Sequence, residues 1–193
     1  MQKQQIEFYI RTAELSDLDS IQRIYQSARD FMKANGNPTQ WGNDRPYKEN
    51  IESNINKKIQ FVCCYKNENN TEEVAGTFLF MHEKEPSYDD LKDGKWPENT
   101  EDYWCIHSVA SGMKVKGVAL FIFSWCENQP GVKCIKIDTH RNNLPMRHLV
   151  EKNGYVYCGH CYYYDDVETD DGIVQDFERI AFCKVMKNKT AQI

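Results

Sequence analysis

The chain has 193 residues, 40% of them hydrophobic and 27% charged, which is enough to bury roughly 70% of the unfolded surface in one compact soluble domain spanning residues 1–193. A formal charge of −5 argues against a nucleic-acid surface and suits a cationic amine partner. No apolar run approaches the ~20 residues of a membrane span, residues 1–7 are polar with no signal-peptide core, and the expected location is cytoplasmic with no membrane partner.

Residues 6–11 read as a strand. Ser16 is placed to cap a helix in which Leu18, Ile21, Tyr25, Ala28 and Met32 share one face, ending near Asn35-Gly36. A loop over 37–43, carrying Trp41, leads to a second helix from about Pro46, with Tyr47, Ile51 and Ile55 at four-residue spacing. Two strands, 60–65 and 73–81, flank the polar turn Asn67-Glu68-Asn69-Asn70 and form a hairpin. The stretch between Met81 and Tyr103 is rich in Asp, Glu, Pro and Gly; with Tyr88, Trp96, Glu101 and Asp102 it is either a solvated loop or a substrate wall.

A β-type run over 104–109 comes next, then the turn signal Ser111-Gly112 and the string Lys114-Val115-Lys116-Gly117-Val118-Ala119, which opens an apolar helix over 118–126. The first amides of such a helix lack intrahelical partners and carry the positive end of the macrodipole, so with Lys114 and Lys116 they can converge on a phosphate. Small residues at Gly117 and Ala119 keep the backbone accessible. A further strand, 133–138, leads through Asn143-Leu144-Pro145-Met146 into a short helix with Met146, Leu149 and Val150 on its apolar side, closed by Gly154. Asn143 can cap that helix or offer its amide to a ligand.

The eight cysteines are scattered through apolar surroundings and read as buried reduced thiols. Cys158-Gly159-His160-Cys161 matches a redox motif by letters, but it leads into a strand-like run of tyrosines rather than starting a helix, the setting that would lower a thiol pKa. His140 and His148 lie too far apart for metal-ligand spacing, and no metal is expected.

The linked pieces, Lys114 to Ala119 and then Asn143 to Met146 with Gly154-Tyr155, resemble the GNAT superfamily of N-acetyltransferases, whose pyrophosphate loop runs Gln/Arg-x-x-Gly-x-Gly/Ala. The lysine at 114 is a conservative departure. The resemblance covers 104–157 by residue pattern and the remainder by order of elements. It implies an α/β (α+β) fold: a central mixed, mostly antiparallel twisted sheet of about seven strands, splayed between the fourth and fifth and flanked by about four helices. It further implies acetyl-CoA as co-substrate, held by Ser108, Val109, Lys114, Val115, Lys116, Gly117, Val118, Ala119 and Asn143. The acceptor would be a small-molecule or peptide amine bounded by Trp41 and Trp96. Dimers are common in the family, and the tyrosines at 162–164 offer a surface for a homodimer.

Acetyl transfer needs a proton removed from an amine of pKa ~10.4, a donor for the oxyanion, and an outlet for the thiolate. His107, two residues before Val109 and of the one side-chain type that ordinarily titrates near neutrality, is the expected base. The resemblance places the oxyanion donor in the backbone near Ser108-Val109. The tyrosine that family members often set four residues before the closing glycine is Val150 here, so Tyr155, Tyr157, Tyr103 or water stands as the alternative proton donor. The glutamate that often serves as base is matched by Tyr103, and Asp102 and Glu101 are the alternatives to His107, acting through water. Loss of that tyrosine keeps a second reading open, a non-catalytic coenzyme-A-binding sensor or interaction module.

Overall fold

A computed structural model of the chain describes residues 6–163 and 177–187. Its strands are β1 (Phe8–Thr12), β2 (Gln60–Lys66), β3 (Glu72–Met81), β4 (Trp104–Ser111), β5 (Cys134–Thr139), β6 (Val156–Tyr162) and β7 (Glu178–Val185). Its α-helices are α1 (Leu18–Ala34), α2 (Lys48–Asn56), α3 (Val118–Glu127) and α4 (Leu144–Lys152). The strands form one sheet in the order β1-β2-β3-β4-β5-β7-β6. Every pairing is antiparallel except β4 with β5, whose parallel run requires a crossover that α3 supplies. This is the mixed, mostly antiparallel architecture expected from the sequence. Among the described residues no helix is long and apolar enough to cross a membrane. Tyr164, part of the expected dimer surface, and the first five residues of the polar start lie outside the described residues.

Alternation along the strands gives the sheet two unlike faces. Phe80, Ile106, Ile135, Ile137 and Phe182 turn toward α3 and α4 and meet Val118, Ile122, Phe123 and Val150. The opposite face carries Val62, Cys64 and Ala110 against Ile21, Ile24 and Tyr25 of α1 and Ile51 and Ile55 of α2. Further along that face, Cys105, Cys134, Ala181 and Cys183 lie under Tyr88, Trp96 and Tyr103, so the acidic stretch between β3 and β4 forms a lid of side chains on the sheet rather than a purely solvated loop.

Two helix starts differ from the sequence reading. Ser16 is exposed and caps nothing; it sits within a 3-10 turn, Leu15–Asp17, where Asp17 Oδ2 accepts the Glu14 amide at 2.8 Å and Arg11 grips both Asp17 oxygens at 2.7 and 2.9 Å. A charge-assisted fork outweighs a lone hydroxyl, and α1 begins at Leu18, one residue later than a Ser16 cap would set it. Pro46 lies outside α2, because Tyr47 is still extended (φ −64°, ψ 152°) and acts as the boundary residue instead of joining the helical stripe.

Candidate active site

β4 and β5 stay paired only at Trp104↔Ile135 and Cys105↔Lys136 and then separate. On its other edge β4 carries a bulge: Ala110 faces Thr77 and His107 faces Leu79, so Ser108 and Val109 together oppose the single residue Phe78. Ser108 takes φ +51°, an uncommon conformation for a non-glycine residue, and the ladder is interrupted there, leaving an extra peptide unit at the edge of the gap. A bulge next to a splay is where backbone donors can serve a ligand instead of a strand.

The gap opens into a cleft of about 880 Å³. Its walls include Ile106 and Ile137 from the apolar face together with His107 and Asp138 from the other, so the cleft passes through the sheet from one face to the other. Met146 and Leu149 of α4 border one mouth, and Trp41, Tyr47 and Asn50 border the opposite mouth.

The loop between β4 and α3 reaches the cleft through Ser111, Met113 and Ala119. The first bond within the helix runs from the Phe121 amide to the Gly117 carbonyl at 2.9 Å, so the amides of Val118, Ala119 and Leu120 have no intrahelical acceptor and a pyrophosphate fits their chemistry. Gly117 caps the helix at φ +89°, and a Cβ there would come no nearer than 3.9 Å to Phe8. The glycine is therefore required by backbone conformation, not by crowding. Lys114 and Lys116 are exposed, whereas Val115 and Val118 pack into the core and can offer a ligand only their backbone.

His107 lies inside the cleft, its side chain only 14% exposed, between two carboxylates. Its Nδ1 is 3.6 Å from Asp138 Oδ2, and its Nε2 is 3.7 Å from Glu85 Oε2. The Nε2 atom is buried without a hydrogen-bond partner. Asp138 Oδ2 also accepts the hydroxyls of Tyr88 at 2.8 Å and Tyr163 at 2.7 Å. Burial, followed by the repulsion of the Asp138 charge, pushes both tyrosines well above their ordinary range, so they remain donors at physiological pH.

The remaining expected residues divide. Trp41 borders the cleft and stands edge-on to Tyr25 at 5.5 Å. Trp96 does not: its Nε1 donates to the Tyr88 carbonyl at 2.8 Å and its ring covers the Lys136 ammonium at 4.2 Å. Tyr103 covers the same ammonium at 3.8 Å and accepts the Glu85 amide at 3.0 Å, again outside the cleft. Tyr155 is buried in the apolar core against Phe123, and burial pushes its phenol far up, so it offers no accessible proton. Asn143 lines the cleft while its Oδ1 accepts the Met146 amide at 3.3 Å, as a helix cap, and its Nδ2 donates to Gln40 at 3.0 Å. The cysteines are all free and buried; Cys158 and Cys161 lie on β6, not at a helix start. Among the described residues no group of three His, Cys, Asp or Glu side chains is placed to hold a metal.

Glu85, Tyr88, Asp138 and Tyr163 were not expected in this cluster. Asp138 reads in sequence as one more polar position of an alternating strand, and no spacing rule links it to Tyr88 or Tyr163.

Solved structures share this fold. An acetyltransferase of the GNAT family from Streptococcus agalactiae 2603 superposes with a TM-score of 0.76 at 24% identity, over 93% of this chain and 96% of its own. The chain has the GNAT fold. The yncA protein of Salmonella typhimurium, solved with its cofactor acetyl-CoA, matches at TM-score 0.56 and 15% identity over 95% of this chain and 96% of its own. The NatB acetyltransferase complex bound to a bisubstrate inhibitor gives 0.59 and 15%, covering 92% and 90%. No family model and no curated protein matches the chain.

Proposed function

We propose that the protein is an acetyl-CoA-dependent N-acetyltransferase that acts in the cytoplasm on a primary amine of a small molecule or peptide, by direct attack in a ternary complex. The observation that carries this reading is the through-sheet cleft with His107 inside it, beside the Ser108–Val109 bulge, and an amide-rich helix start at its edge. The loop from Gly112 to Gly117 and the first amides of α3 hold the pyrophosphate, Asn143 and the walls Ile106 and Ile137 line the path of the pantetheine arm, and backbone at the bulge faces the thioester oxygen as it gains charge. His107 takes a proton from the amine. The departing thiolate needs little help, since a thiol of pKa about 8.5 leaves far more readily than an amine, and the absence of Tyr103 and Tyr155 from the cleft is compatible with transfer.

Thermal unfolding with and without acetyl-CoA tests the reading first. A ligand that binds only the native state at about 100 times its Kd adds about 2.7 kcal/mol, or several degrees for a chain of this size. The expected result is a dose-dependent rise in Tm that Gly117→Glu abolishes while retaining the fold, followed by amine-dependent release of free thiol. No shift at millimolar acetyl-CoA would sink it.

A further inference from the structure

The cluster around His107 contains more than a base. Glu85 Oε1 is occupied, accepting the Ser87 amide at 3.2 Å and the Ser87 hydroxyl at 3.0 Å, which turns Oε2 toward His107 Nε2. At 3.7 Å these two atoms are too far apart to bond each other directly, yet both residues line the cleft and both atoms are acceptors if the imidazole proton sits on Nδ1. A proton on Nδ1 would face the Asp138 carboxylate, 3.6 Å away and held in place by two buried phenols, and would leave the Nε2 lone pair toward Glu85. Two arginines also line the cleft. Arg179 donates to the Glu178 and Gln40 carbonyls at 2.9 and 3.1 Å, and the Arg45 guanidinium lies over the Tyr47 ring at 5.3 Å.

We infer that Glu85 Oε2 and His107 Nε2 together form a receiving site for the acceptor as a primary ammonium, with Asp138, clamped by Tyr88 and Tyr163, as the residue that positions the imidazole. A primary ammonium has three N–H donors and a positive charge, and the site presents two acceptors and two carboxylates. An alcohol brings a single O–H donor and no charge to these acceptors, and a quaternary ammonium has no N–H to give. The proton balance then closes. One ammonium proton passes to His107 Nε2, and the freed lone pair forms the C–N bond at the thioester carbon. The C–S bond breaks as the tetrahedral adduct collapses, the thiolate takes the second nitrogen proton, the third stays on the amide, and His107 returns its proton to water. Glu85 touches the substrate throughout, whereas Asp138 acts through His107.

This inference rests on the transferase reading, but its test does not require turnover. Protein carrying ¹⁵N-labelled histidine is examined by NMR at pH 8, where the His107 signals are expected to show a protonated Nδ1 and an unprotonated Nε2. Added n-butylammonium chloride is expected to shift the Nε2 signal saturably. Tetramethylammonium and 1-butanol at the same concentrations are expected to leave it in place. Glu85→Gln should weaken the butylammonium response at least tenfold with acetyl-CoA affinity unchanged, and Asp138→Asn should redistribute the tautomers. A proton on Nε2, no response to butylammonium, or an equal response to tetramethylammonium overturns the inference, and the first two are read on wild-type protein, so a variant that fails to fold cannot rescue it. A butylammonium response in a protein that does not bind acetyl-CoA would leave the ammonium site standing and remove the transferase; acetyl-CoA binding without that response does the reverse.

Discussion

The two faces of the sheet are built from different chemistry. The face under α3 and α4 is filled with Ile, Phe and Val, and its order comes from packing alone. The other face buries Gln60, Thr77, Lys136 and a file of thiols alongside the His107 cluster. An apolar face tolerates no gap, because each lost contact costs both transfer energy and a cavity. A polar face stands only if each group finds a partner, and where a partner is missing the group has a shifted pKa or an open valence that can be used. One face therefore holds the sheet rigid, and the other carries reactive groups at fixed positions.

The sharpest way to break this contrast is Phe123→Ala, which removes a fully buried ring from the apolar face and should cost about 3–5 kcal/mol in denaturant unfolding. A loss under about 1 kcal/mol would mean that α3 does not carry that face. Next comes Gly76→Ala on β3. A Cβ there would stand 2.5 Å from Val118 Cγ1 and 2.9 Å from the Ala110 carbonyl, so helix and sheet must part, at a cost of about 1–3 kcal/mol.

On the other face, Asp17→Asn should cost about 1–2 kcal/mol by weakening the cap and the Arg11 fork. Burial alone would raise the Asp17 carboxyl, but Arg11 and the Glu14 amide outweigh it and hold it below the ordinary value. Its contribution is therefore present at neutral pH and lost as the pH falls through that lowered value, so the two proteins should converge in stability only in acid. The smallest effect should have the opposite sign. Lys136 is 4% exposed, and burial lowers its pKa. The unfolded chain thus binds more protons between the lowered value and the ordinary one, and wild-type stability should rise with pH across that interval. Lys136→Met should remove this slope and raise Tm by a few degrees at pH 7. A fall in Tm would show that the Trp96 and Tyr103 rings outweigh the desolvation.

The contrast also explains what the sequence made legible. Alternation in 133–138 and the apolar helix at 118–126 report the Ile and Phe face directly, because Ile135 and Ile137 meet Val118, Ile122 and Phe123 there, although the polar Lys136 between the isoleucines is buried on the opposite face. The helix start at Gly117 was legible too, although the sequence reading asked there only for an accessible backbone and the glycine also takes φ +89°. The His107 cluster was not, since Glu85 and Tyr88 come from the stretch between β3 and β4, Asp138 from β5 and Tyr163 from just after β6, and they meet only through the fold. Trp41 and Trp96 looked equivalent as single letters; one borders the cleft and the other roofs a lysine. Ser16 misled because a cap preference is local, while the Arg11 that displaces it arrives from a neighbouring strand.

The two-pair contact between β4 and β5 has a mechanical consequence. It divides the sheet into two slabs, β1 to β4 and β5 to β7, joined along a seam too short to resist shear by its own hydrogen bonds. Any molecule threaded through the cleft touches both slabs and becomes a rivet between them, so occupancy should be legible as slowed amide exchange at Cys105 and Lys136, residues of the seam itself.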